Sequence, residues 1–97
     1  MWFEFDQNNS GGFFECDDKV CATVWIEADT VHEATAKAQD LGIYFDGVSL
    51  GRDCECCGDR WSIPWEGEES PVLFDWRTRW TEPAVRKYYK YGKVEEL

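Results

Sequence analysis

The first residues, Trp2-Phe3-Glu4-Phe5-Asp6, alternate apolar and acidic positions with a period of two. That alternation predicts a strand. The run from Gln7 to Gly12 that follows is dense in Asn and Gly, which tolerate positive φ, so it predicts a turn. Residues 13–16 are expected to return as the partner strand. Over 20–27 the alternation is cleaner: Val20, Ala22, Val24 and Ile26 share one face, and Cys21, Thr23, Trp25 and Glu27 the other. This segment predicts a central strand.

At Asp29 the period changes. Thr30 followed three residues later by Glu33 is a capping box, and Val31, Ala34, Thr35, Ala38 and Leu41 fall on one helical face. Gly42 stands where a helix ends in a left-handed residue. Beyond it come Ile43-Tyr44-Phe45, an Asp46-Gly47 turn, the cysteine segment 52–65 and a polar loop at 66–71. Val72, Leu73, Phe74 and Trp76 suggest one more strand. The tail after Val85 reads as a closing hairpin in preference to a helix. The pattern therefore predicts one α+β domain over 1–97: a small antiparallel sheet with one main helix packed on it.

Composition adds two features. Aromatic residues make up 16% of the chain, six of them Trp, which exceeds what one small core needs. Two readings stand: large rings filling a small core, or rings left at the surface to meet a partner, with Trp25, Trp61, Trp65, Trp76 and Trp80 as candidates. Net charge is −10, with 13 acids against 4 bases in residues 1–60 and 7 against 6 in the rest. A field of that sign repels nucleic acid and anionic membranes and attracts basic surfaces. The exposed acids expected to carry it are Asp17, Asp18, Glu33 and Asp40. The same charge also serves solubility alone.

Glu4 and Asp6 break the N-terminus before an apolar run forms, so no signal peptide is expected, and no stretch reaches transmembrane length. Five cysteines without a secretory signal favour reduced thiols or a metal site, in a cytoplasmic protein. The run Cys54-Glu55-Cys56-Cys57-Gly58 holds a Cys-x-x-Cys-Gly unit, in which two thiolates wrap one ion while the Gly lets backbone N–H groups turn toward sulfur. Zinc takes four ligands in a structural site, so Cys54 and Cys57 need a second pair, for which Cys16 and Cys21 are the expected choice. Cys56 and His32 are reserves. Buried, unliganded cysteines and a reversible thiol pair are the competing readings.

The run DQNNSGG at 6–12, EAD at 27–29, LGIYFDG at 41–47 and DCECCGDRW at 53–61 together resemble a family of small bacteriophage proteins of unknown function. Cys16 lies outside that pattern. The resemblance implies a phage-encoded protein made in the host bacterial cytoplasm, and it brings no activity. No nucleophile–base pair stands out, so the chain is expected to be a non-enzymatic binding protein. It would inhibit or modify a host protein, such as an antiviral-defence component with a basic nucleic-acid-binding surface. It would use acidic mimicry and not bind nucleic acid itself. Capture of a small nucleotide by stacked aromatics, the Gly-rich turn and Arg52 or Arg60 is the alternative. A metal-dependent enzyme is the third reading, disfavoured because a closed four-cysteine site leaves no open coordination position.

Overall fold

The structure, a computed structural model, describes residues 1–71 and 81–97. Trp2–Asp6 forms β1 and pairs antiparallel with β2 (Thr23–Glu27). The chain continues into α1 (Val31–Asp40) and later returns as β3 (Val85–Tyr88) and β4 (Val94–Glu96). The sheet order is β1-β2-β3-β4, so β2 is internal as its alternation predicts. β3 and β4 form the expected tail hairpin, with the Gly92 N–H donating to the Tyr89 carbonyl at 3.0 Å in its turn. The α+β architecture, one helix on a small sheet, is therefore as expected.

The sheet is mixed, however, because β2 and β3 run parallel. Parallel neighbours need a long crossover between them, and residues 28–84 provide it. The expected return strand at 13–16 does not form either. Its backbone is met by a side chain instead: the Gln7 amide donates to the Glu15 carbonyl at 2.9 Å and accepts from the Glu15 N–H. The same amide reaches the Cys21 carbonyl at 2.9 Å. Ser10–Gly12 makes a 3-10 turn, and β1 takes β2 as its partner. The strand expected near Val72 lies outside the described residues.

Thr30 caps α1 as predicted, its hydroxyl accepting from the Glu33 N–H at 3.2 Å. Glu33 answers one residue further back, at the Asp29 N–H. Ala34 and Ala38 are fully buried under the helix, with Val31 and Leu41 half-buried at its ends. Alternation along β1 and β2 then sorts the core into two faces. Phe3, Phe5, Val24 and Ile26 meet α1, Ile43 and Trp61 on one side; Trp2 and Trp25 pack with Ala84, Val85 and Tyr89 on the other. Among the described residues, no helix is long and apolar enough to cross a membrane.

Candidate functional site

The cysteine segment has no regular secondary structure, yet it is tightly turned. The Cys54 carbonyl accepts from Cys57 N–H at 3.2 Å and from Gly58 N–H at 3.0 Å. Gly58 follows at φ +85°, a conformation an L side chain resists, as the Cys-x-x-Cys-Gly unit predicts. One turn thus carries three exposed thiols, Cys54, Cys56 and Cys57, whose sulfurs all lie within 4.8 Å of one another and could hold a metal ion. Cys54 and Cys56 Sγ are 2.6 Å apart, and Cys56 and Cys57 Sγ 3.7 Å.

The membership of the group differs from expectation. Cys56, expected as a reserve, belongs to it, whereas Cys16 and Cys21 do not. Cys21 is fully buried where the chain enters β2, its thiol donating to the Thr23 carbonyl at 3.3 Å. The Cys16 thiol faces the Glu82 carbonyl at 3.6 Å. His32 is exposed in the first turn of α1, apart from the thiols. Among the described residues only these three thiols converge, so the argument that a closed four-cysteine site disfavours metal chemistry no longer holds.

Arg60 anchors this turn to the domain. Its guanidinium is buried and donates to the Gln7 side chain at 3.0 Å, to the Phe13 carbonyl at 2.7 Å and to the Ser10 carbonyl at 2.6 Å. It stacks on the Phe13 ring and is ion-paired with Asp53 at 3.8 Å and Glu15 at 3.6 Å. Asp53 in turn accepts from Tyr44 OH at 2.6 Å and Arg60 N–H at 2.8 Å. Two contacts reach the cysteines directly. The Ser10 hydroxyl accepts from Cys54 N–H at 3.0 Å, and the Asn8 amide donates to the Cys57 carbonyl at 2.6 Å. Gly47 makes room for this arrangement, since a Cβ there would lie 1.8 Å from Asp53 Oδ2. The segments at 6–12, 41–47 and 53–61 therefore form one unit. The Gly-rich turn holds the knuckle, and Arg60 is spent inside the fold. Arg52, its companion in the nucleotide reading, lies over the Tyr44 ring at 3.8 Å.

The thiols share their protons unequally. Cys54 is held below the ordinary thiol range, first by the Cys56 thiol proton and then by the Cys56 and Cys57 N–H groups. Cys56 is pushed up to about 11, because it donates to Cys54 and Cys57 and faces their charge. A lowered thiolate beside N–H donors is the state that binds a soft cation.

The expected partner-binding residues divide. Trp61 is 1% exposed and belongs to the core with Trp25, so neither is a surface anchor; Trp65 is entirely exposed. Trp76 and Trp80 lie outside the described residues. The Asp17 carboxylate accepts from the Lys19 and Val20 N–H groups, both at 2.8 Å. Burial works against its charge, but those bonds and Arg86 hold it below the usual carboxylate range. It is thus a turn-former as well as a charge, and its removal would disturb the fold. Glu33 belongs to the helix cap, while Asp18 and Asp40 are exposed. Sequence reasoning missed two adjoining clefts. One, of about 310 Å³, is lined by Glu4, Asp6, Trp25, Trp65, Glu66 and Glu68 among others; the second, of about 230 Å³, is lined by Asp46, Asp59 and Trp61 among others. The Trp25 and Trp61 indole N–H groups are buried without a partner among the described residues.

No curated protein and no solved structure matches the chain. A family model described as "Domain of unknown function (DUF7296)" matches residues 1–94, and the chain belongs to that family.

Proposed function

We propose that this chain is a small acidic binding protein, not an enzyme, that docks on a basic surface of another protein and carries a zinc-braced knuckle. The observation that supports this most directly is Trp65, wholly exposed at the rim of a cleft whose lining includes Glu66 and Glu68. An exposed indole beside carboxylates suits an arginine- or lysine-bearing partner, through ring stacking and charge together. The wall is held in place, because Glu68 and Trp2 exchange two backbone hydrogen bonds of 2.7 Å. Three clustered thiols favour zinc as the metal, since soft sulfur donors suit it and it needs no redox partner. The phage-like sequence pattern makes a host protein in the bacterial cytoplasm the partner we favour, with antiviral-defence proteins that hold nucleic acid as the first to test.

The experiment is affinity capture from bacterial lysate with the wild-type chain and with Trp65→Ala, followed by binding measurements on the recovered partner. Trp65→Ala should weaken binding about 30-fold, as loss of a central aromatic anchor does, without changing the melting temperature. Glu66→Gln with Glu68→Gln should slow association and flatten its salt dependence. Equal capture by wild type and Trp65→Ala, insensitive to salt, would refute the docking face.

A further inference from the structure

We propose that the cysteine knuckle is an open three-thiolate centre whose fourth ligand is an imidazole from another polypeptide. This deepens the zinc reading above and rests on it. Cys54, Cys56 and Cys57 exhaust the donors that converge on one point among the described residues. Cys21 is sealed in the core, and both Asp53 oxygens are engaged by Tyr44 and Arg60. Residues 72–80 contain a single further candidate, Asp75. Tetrahedral zinc with sulfur at about 2.3 Å places its ligand sulfurs about 3.8 Å apart. The Cys56–Cys57 separation of 3.7 Å already matches, and Cys54 needs a side-chain rotation to widen its 2.6 Å approach to Cys56.

The three cysteines are all exposed, so the remaining position points where a second molecule can reach it. Charge selects the donor. Zinc with three thiolates carries one net negative charge, and Glu55 and Asp59 flank the turn in a chain already at −10. A fourth thiolate or a carboxylate would add charge there, whereas a neutral imidazole adds none and completes a three-cysteine, one-histidine set. Two sources can supply that imidazole: a histidine of the partner protein, or His32 of a second copy, which is exposed on α1.

Cobalt(II) substitution tests this on the full chain, with free imidazole as the probe. The expected result is one ion per chain, with sulfur-to-metal charge-transfer intensity falling by about one third in each of Cys54→Ser, Cys56→Ser and Cys57→Ser. Where the chain is monomeric, imidazole should shift the visible ligand-field bands saturably, and equally in Asp75→Asn; a dimer already supplied by His32 should respond only in His32→Ala. A concentration-dependent dimer whose bands lose the nitrogen signature in His32→Ala assigns the source to a second copy. A monomer whose bands are unchanged in that variant yet still move with imidazole has an unfilled fourth position, which assigns the source to a partner. In a monomer, bands that imidazole does not move would overturn the proposal by showing a closed site, as would intensity for four thiolates in any state. Failure to bind cobalt or zinc at all would defeat the zinc reading and this inference together, leaving the Trp65 docking test untouched.

Discussion

The two halves of this domain are held by different forces. β1, β2 and α1 owe their order to apolar burial: Phe5, Val24, Ile26, Ala34 and Ala38 are wholly excluded from water. Residues 44–60 contain no strand or helix, and what orders them is a polar network centred on the Arg60 guanidinium. An apolar core tolerates changes of shape at moderate cost, because each contact is weak and non-directional. A buried cation does not, because losing one acceptor or the cation itself strands the rest. The knuckle thus depends on directional contacts that few substitutions preserve, although it has no regular secondary structure.

The largest expected effect breaks the polar half. Arg60→Ala should cost about 3–5 kcal/mol in chemical denaturation, since it strands buried Asp53 and the carbonyls of Ser10 and Phe13. It should also weaken zinc by at least about tenfold, as loss of outer supports does. Arg60→Lys should not restore either, because an ammonium cannot present the same planar fork of donors. Ile26→Ala strikes the apolar half. We expect about 2–4 kcal/mol by the same measurement, with zinc affinity unchanged. Equal effects of the two variants on zinc would erase the distinction between the halves.

A pH scan sharpens the comparison from the apolar side. Burial pushes the Cys21 thiol from 9.0 up to about 11. A raised folded-state value means the fold favours the protonated thiol, so this stabilisation is complete below pH 9 and is lost as pH rises toward 11. The loss should be about 2–3 kcal/mol, and Cys21→Ala should remove that part of the alkaline decline. Tyr44 and Tyr88, both raised chiefly by burial, should contribute to the decline that remains at higher pH. The smallest effect belongs to the helix cap. Thr30→Ala removes the bond to Glu33 N–H and should cost about 1 kcal/mol.

The apolar half is also the half that was legible in the sequence. Alternation placed β1 and β2, the Thr30–Glu33 box placed the start of α1, and Gly42, at φ +98°, its end. Those signals are local and periodic. The pairing of β2 with β3 is neither, because it joins Thr23 to Val85 across a crossover that no spacing rule encodes. At the knuckle, the Cys-x-x-Cys-Gly spacing led correctly to the turn and its glycine, but choosing Cys16 and Cys21 to complete it assumed a closed site. The sequence offers Arg60 only as a nucleotide-binding candidate, and Gln7 and Asn8 only as turn residues. Their importance comes from segments distant in the sequence that meet in space, and nothing periodic announces such a meeting.

The parallel pairing has a consequence for how the chain is made. During synthesis β1, β2 and α1 emerge first and can assemble, but the neighbour on the far side of β2 is not yet translated. Until Val85–Tyr88 leaves the ribosome, β2 presents an open edge flanked by Val24, Trp25 and Ile26. Open apolar edges recruit other strands, so the nascent domain is most prone to aggregate during the interval in which residues 28–84 are made. Slowing translation within that interval should lower the soluble yield, whereas slowing it before Thr23 is made should not.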